Sequence, residues 1–272
     1  MFTNWLSKET VFHQCPDLRG KFEDQAKVSD RQEKVEGWDQ EAISGASILL
    51  IGCGGINSVI GQGLVRQGYG EIHCVDPDLV EPSNLNRQFY DQEDIGQVKG
   101  HALAGRLARE GFMGTQIHGY GRYASEFFQE QPHVRPDAII SGVDNNGTRR
   151  EIQEYSRKRN VPLVTVGVAR DASGAYVFIQ NPNEKLGCLG CFLGAQLKNQ
   201  PKSSCPGTPA VLDILQCIGG MALYALSSLF MERTRAWNLL KFFPASGTSQ
   251  PSVLGKDPNC HLCGDKPRRV GK

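Results

Sequence analysis

The sequence predicts an α/β protein: a doubly wound, mainly parallel sheet extended by antiparallel strands, with a C-terminal segment stapled back onto the body. Three observations carry that expectation. Short apolar runs ending in glycine or an acid alternate with helix-length segments through the first half of the chain. A turn sequence, Arg170-Asp-Ala-Ser-Gly174, then joins two β-rich runs directly, with no helix between them. Two Cys-x-x-Cys pairs, Cys188/Cys191 and Cys260/Cys263, fall far apart in the last third.

The elements follow in order. Residues 1–30 are polar and weakly patterned and predict an N-terminal arm, ahead of a domain over 31–264 and a tail at 265–272. Ala46–Ile51 is a short apolar strand that ends in Gly52-Cys-Gly-Gly55. A helix follows over Asn57–Gln67, stopped by Gly68, and a strand over Glu71–Asp76 ends in an acid. Strand, glycine turn, helix and strand within about thirty residues form the Rossmann-like unit from which parallel sheets are built. Lys99–Gly111 predicts a helix, Asp137–Gly142 a strand, Thr148–Asn160 a charged helix and Val161–Gly167 a strand. Ile214–Met231 carries no charge, but Gln216, Gly219, Gly220, Ser227 and Ser228 interrupt it, and Asp213 and Glu232 flank it. That composition predicts a buried or interface helix and no membrane span.

With 39% hydrophobic and 22% charged residues the chain can bury a core. Thirty basic against twenty-nine acidic residues argue against a protein that grips nucleic acid or an acidic membrane by bulk charge. Met1–Thr10 holds no apolar stretch behind a basic end, so a cytoplasmic, reducing location is expected. There the nine cysteines favour metal or catalytic roles over disulfides.

The glycine turn can bring backbone N–H groups and a helix N-terminus to a phosphate, and Asp76 can accept ribose hydroxyls. Asn57 stands where the dinucleotide fingerprint has its third glycine, and no Walker-type loop is present. A ligand-free tight turn has the same local pattern. The surroundings are more specific. Asp78, Asn84, Arg87 and Gln88 fall just past the second strand, Lys99 starts the next helix, and Asp144-Asn145 with Arg149 follow the third strand. A triphosphate with Mg2+ needs such cations and a carboxylate, whereas a nicotinamide pocket does not.

Two Cys-x-x-Cys pairs satisfy a closed tetrahedral Zn2+, with a thioredoxin-like redox pair as the rival. Sixty-eight residues separate Cys191 from Cys260, so zinc would tie the chain end back to the body. His261 is expected to be a bystander. Cys205 lies in a Gly/Pro-rich loop, where a chance thiol and a nucleophile are equally compatible with the sequence. Cys53, Cys74 and Cys217 sit in apolar runs and are expected to be buried; Cys15 has no assignment.

Together the glycine loop, Asp76-x-Asp78, Ser83-Asn-Leu-Asn-Arg-Gln88, Gly96-Gln-Val-Lys99, Asp144-Asn-x-x-x-Arg149 and both cysteine pairs resemble the ThiF/MoeB/HesA adenylyltransferases, relatives of the ubiquitin-activating enzymes. The resemblance runs from Arg31-Gln32 to Gly264. It implies ATP over Gly52, Gly54 and Gly55 with its ribose on Asp76, phosphates on Asn84, Arg87 and Lys99, and Mg2+ on Asp144. Asp78 and Gln88 belong to the same nucleotide site. It also implies a homodimer in which Arg31 reaches the partner's site. The implied reaction joins a carboxylate to the ATP α-phosphorus and releases pyrophosphate. That carboxylate is commonly the Gly-Gly end of a ubiquitin-like or sulfur-carrier protein. Cys205, fourteen residues after Cys191, stands close to the cysteine of thioester- or persulfide-forming members. A conjugating or sulfurtransferase protein would then act downstream. Only nine residues follow Cys263, so no rhodanese or ubiquitin-fold domain is expected there. Adenylation of a peptide or small-molecule carboxylate, and a non-catalytic zinc-stapled subunit, are the alternatives.

Overall fold

The computed structural model of the chain describes residues 9–21, 27–197 and 209–264, so Cys205 and the tail at 265–272 lie outside the described residues. The elements run β1 (Thr10–Gln14), α1 (Asp30–Glu33), α2 (Gln40–Gly45), β2 (Ser47–Ile51), α3 (Gly55–Gln67), β3 (Glu71–Val75), α4 (Lys99–Glu110), β4 (Gln116–Tyr120) and α5 (Ala124–Glu130). Then follow β5 (Ala138–Ser141), α6 (Asn146–Arg159), β6 (Leu163–Val168), β7 (Ala175–Gln180), α7 (Leu189–Leu193), α8 (Leu212–Ser227), β8 (Leu239–Phe243) and β9 (Thr248–Ser252).

Among the described residues the strands form one sheet in the order β1-β4-β3-β2-β5-β6-β7-β8-β9. The five strands from β4 to β6 are parallel. β1 adds antiparallel at one edge, and β7, β8 and β9 add antiparallel at the other. The expected doubly wound sheet with an antiparallel extension is thus present. The chain enters the parallel part at β2, moves out to β4, then returns to β5 on the other side of β2. Where strand order reverses, the loops at the carboxyl ends diverge and leave a crevice.

The central strands are buried on both faces, which explains their unbroken apolar runs. Ile48 and Leu50 of β2 point into a core shared with Ile60 and Leu64 of α3, Leu103 and Leu107 of α4, and Leu215 and Ile218 of α8. Leu49 and Ile51 point the other way, against Phe127 of α5 and Ile152 of α6. The predicted helix over Asn57–Gln67 starts two residues early, at Gly55, and ends as expected at Gly68. α6 starts at Asn146 because the Asn145 side chain accepts the Thr148 N–H at 2.8 Å.

Three findings depart from the sequence reading. The weakly patterned arm supplies β1, and Cys15 beyond it is buried, its thiol donating to the Leu107 carbonyl at 3.5 Å. β4 and α5 have no counterpart among the predicted elements. Cys217, expected to be buried, is exposed on the outer side of α8 with Gln216, Gly220 and Met221. An uncharged helix still has two faces: Ile214, Leu215, Ile218, Ala222, Ala225 and Leu226 fill the inner one. Each fully buried Leu or Ile contributes about 1.5–3 kcal/mol, which fixes the rotation of α8 and leaves position 217 outward. Among the described residues no helix is long and apolar enough to cross a membrane.

Candidate active site

The glycine turn between β2 and α3 lies at the middle of the sheet's carboxyl edge. Gly52 adopts φ +82°, and a Cβ there would sit 2.9 Å from Val143 Cγ1, so both conformation and space demand glycine. Val143 precedes Asp144, so this contact sets the end of β5 against the glycine turn. Gly54 caps α3 with no side-chain bond, and nothing lies within 4 Å of where its Cβ would be. The N-terminus of a thirteen-residue helix therefore opens onto free space, an arrangement that suits a phosphate.

Asp76 follows β3 and turns inward. Its Oδ2 accepts the Cys53 N–H at 2.6 Å and its Oδ1 the Asp78 N–H at 2.8 Å, so one carboxylate joins the end of β3 to the glycine turn. Burial raises its pKa to about 6, the Asp78 charge adding to the rise and Lys99 opposing it. Lys99 opens α4, with its ammonium 3.5 Å from Asp78 Oδ2 and its N–H donating to the Asp78 carbonyl at 2.7 Å. α4 can begin this close to β3 and β4 because its second residue is Gly100. A Cβ at that position would lie 2.3 Å from the Tyr120 carbonyl oxygen.

Asn84 is buried and structural to the loop: Oδ1 accepts the Glu81 N–H at 3.0 Å, and its carbonyl accepts the Arg87 and Gln88 N–H groups at 3.1 and 2.9 Å. The Arg87 guanidinium donates to the Ser83 carbonyl at 2.6 Å and to Asn86 Oδ1 at 2.9 Å. Gln88 is buried, with its Oε1 lacking a hydrogen-bond partner. Asp144 is exposed just past β5, and Arg149 on α6 donates to Asn146 Oδ1 at 2.9 Å. Arg31 on α1 has a side chain 94% exposed, 3.9 Å from Asp30, and no ion pair or hydrogen bond among the described residues joins it to the crevice.

The roles of two residues at the site, Tyr90 and Asn57, escaped the sequence reading. The Tyr90 hydroxyl is buried and donates to the Cys53 carbonyl at 2.6 Å, bracing the glycine turn from behind. Asn57, a departure from the fingerprint, is fully buried and donates from Nδ2 to the Ile51 and Gly52 carbonyls at 3.1 and 2.7 Å. Neither role has a local sequence signal. Cys53 sits fully buried under the turn, and burial pushes its thiol well above the ordinary value.

The four paired cysteines meet, with sulfur separations of 4.0 Å for Cys188–Cys191, 3.6 Å for Cys188–Cys260 and 3.3 Å for Cys191–Cys263. Tetrahedral zinc with bonds of about 2.3 Å places its sulfurs about 3.8 Å apart, so these four residues fit the metal. The redox rival fits less well, because each cysteine faces the opposite pair as well as its own. His261 is not a member of the cluster. The small apolar group of Phe178, Leu189, Leu197 and Leu239, with Leu254 and Leu262 against it, surrounds this end of the molecule.

The fold is that of a doubly wound α/β protein whose carboxyl-end loops gather where strand order reverses. The chain matches the ThiF family over residues 25–262 and belongs to it. It is 29% identical to a sulfur carrier protein adenylyltransferase of Thermus thermophilus, over 84% of this chain and 86% of that protein. It is 27% identical to the adenylyltransferase and sulfurtransferase MOCS3 of Caenorhabditis briggsae over 84% of its own length, and spans 57% of that longer protein. In fold it is similar to Escherichia coli MccB crystallised with AMPCPP and MccA, at a TM-score of 0.73 and 17% identity over 89% of this chain and 75% of that one.

Proposed function

We propose that this protein uses ATP to adenylate the C-terminal carboxylate of a ubiquitin-like or sulfur-carrier protein, releasing pyrophosphate. The observation that carries the reading is the convergence of the α3 N-terminus, Asp76, Lys99 and the Asp144 loop on one crevice. Family membership and relatives named as sulfur carrier adenylyltransferases support it.

ATP would lie over Gly52, Gly54 and Gly55. Its ribose hydroxyls would face Asp76, whose two backbone partners hold the carboxylate in place. Asn84 and Arg87 present one side of the triphosphate groove, with Gln88 behind them, and Lys99 presents another. Lys99 is already aimed by Asp78, so little side-chain freedom is lost on binding. A Mg2+ ion on Asp144 and the phosphates would neutralise charge, the usual arrangement of one carboxylate plus substrate oxygens. The carrier's carboxylate oxygen attacks the α-phosphorus, the bond to the β-phosphate oxygen breaks, and pyrophosphate leaves. Arg87 and Lys99 favour this because negative charge grows on the phosphate oxygens as the transition state forms.

Cys205 would then take the acyl group from AMP as a thioester, or serve a persulfide-type transfer. Its support is its place in the chain, fourteen residues after Cys191. Zinc on Cys188, Cys191, Cys260 and Cys263 would be structural, with no open position. We place the protein in the cytoplasm as a homodimer, with Arg31 serving the partner's site, and with a conjugating or sulfurtransferase protein downstream. The exposure of Arg31 is consistent with that role.

Exchange of radiolabelled pyrophosphate into ATP tests the reaction. Exchange should require a Gly-Gly-ended carrier protein, and Asp144→Ala should abolish it while the thermal melt is kept. Exchange supported by a small carboxylate alone, or retained in Asp144→Ala, would overturn the substrate or the Mg2+ assignment respectively. Cys205→Ala should keep exchange and lose any reducible enzyme–carrier adduct; an adduct that survives removes Cys205 as the nucleophile.

A further inference from the structure

At the opposite end of β3 from Asp76 lies a cluster that the adenylation chemistry does not use. Glu71, the first residue of β3, and His73 share one face of that strand, and His118 of β4 is paired directly with His73. His73 Nε2 is 3.3 Å from Glu71 Oε2, and His118 Nε2 is 3.1 Å from Glu71 Oε1. The donor atoms of all three residues lie within 4.8 Å of one another. The two imidazole centroids are 4.8 Å apart and the ring planes lie within 14° of parallel.

We infer that Glu71, His73 and His118 form a second metal site, for a first-row divalent cation of borderline hardness such as Zn2+. Nitrogen and oxygen donors about 2.0–2.1 Å from a tetrahedral ion stand about 3.3 Å apart, close to the two Glu–His separations, each of which runs to its own oxygen of the Glu71 carboxylate. Second, His118 Nε2 is buried and makes no hydrogen bond although the Glu71 oxygen is close by. A buried ring nitrogen left without a hydrogen bond is a donor site that an ion would satisfy. Third, the donors have supports of their own. The Tyr120 hydroxyl is 3.1 Å from His73 Nδ1, and a proton held between those atoms by Nδ1 leaves Nε2 as the lone-pair nitrogen. Ser47 Oγ donates to Glu71 Oε2 at 2.8 Å and fixes the carboxylate.

Three protein ligands leave a fourth position, and Glu71 is 37% exposed while His73 is 5% exposed. The ion would thus sit at the sheet surface with an open coordination place, unlike the closed four-sulfur site. Asp76 lies five steps of extended chain beyond Glu71, about 16 Å away, so this site is independent of the nucleotide crevice.

The test is titration of the full chain, with its sulfur site already loaded, with Co2+ and separately with Zn2+. One further equivalent should bind saturably, and cobalt there should show weak ligand-field bands without thiolate charge transfer. Glu71→Gln and His118→Gln should each abolish that equivalent, leave the sulfur-bound metal in place and keep the metal-free melting temperature. Tyr120→Phe, which keeps the ring packing, should weaken binding about tenfold. Absence of a further equivalent in the parent protein, or its survival in Glu71→Gln, overturns the site. Glu71 is a partly exposed strand end, so that variant decides the matter even where His118→Gln folds poorly.

Discussion

Replacing Asp76 with Asn tests whether a buried charge is kept here at a cost in stability. Holding the carboxyl at about 6 instead of 3.8 corresponds to about 3 kcal/mol against its ionised form in the fold. The amide of Asp76→Asn escapes that penalty. It offers only one oxygen, however, to the two N–H donors of Cys53 and Asp78. One buried N–H then loses its acceptor, at a cost of about 1–3 kcal/mol. The two effects oppose each other, so the variant should fold with a stability within about 2 kcal/mol of the parent at pH 7.

The sign of the pH dependence follows from the raised pKa. Below pH 3.8 the carboxyl is protonated in both the folded and unfolded chain and carries no penalty. As pH rises through about 6 the unfolded chain has already ionised, and the folded one is forced to follow. Stability from this group is therefore present at low pH and lost by up to about 3 kcal/mol above pH 6. Asp76→Asn has no such loss. Urea melts of both proteins between about pH 4.5 and 7.5 should show the parent losing ground to the variant as pH rises. A constant difference, or a parent that gains on the variant, refutes the account of Asp76 as a penalised buried carboxylate. In the same variant, affinity for ATP should fall, because the ribose loses a charged acceptor; unchanged affinity would separate Asp76 from the nucleotide.

Two further substitutions probe the frame of the crevice and the zinc. Tyr90→Phe removes the only donor seen to the buried Cys53 carbonyl among the described residues and should cost about 1–3 kcal/mol in a thermal or urea melt, with weaker nucleotide binding; an unchanged melt refutes the bracing role. Cys260→Ser should lower bound zinc below about one per chain and destabilise the fold; full zinc content in the variant refutes the four-sulfur site.

The parts of this architecture that were legible in the sequence are those written locally. The run Ser47–Ile51 is apolar at four successive positions because β2 is covered on both faces, and the glycine turn after it needs residues that no other context demands. β4 was invisible because only Ile117 faces the larger core, while His118 and Tyr120 face the opposite side beside Glu71 and His73. Its neighbours in space are about forty-five or a hundred residues away in the chain, so Gln-Ile-His-Gly-Tyr carries no periodic signal of its own. β1 is an edge strand with alternating exposure, and its identity depends on the pairing with β4. Arg87, Lys99 and Asp144 were found as a set because each follows a strand; what holds them, Ser83, Asp78 and the Val143 contact, depends on the folded loops.

Asn57 shows why a motif departure can be absorbed without loss of the site. A glycine in the first turn of such a helix lets helix and strand approach closely. Here the side chain is instead buried against the end of β5, and the room for it comes from Gly142. A Cβ at Gly142 would lie 2.6 Å from Asn57 Cγ. The missing volume has thus moved across the crevice, from the helix to the neighbouring strand. In exchange the Asn57 amide hydrogen-bonds the Ile51 and Gly52 carbonyls, groups that a glycine at position 57 would leave without that donor. The glycine turn is then held from three directions, by Asn57 within, by Asp76 on the Cys53 N–H and by Tyr90 on the Cys53 carbonyl. A turn fixed in that way keeps its outward N–H groups pointed at the crevice before any nucleotide arrives, which is the condition for electrostatic stabilisation without reorganisation.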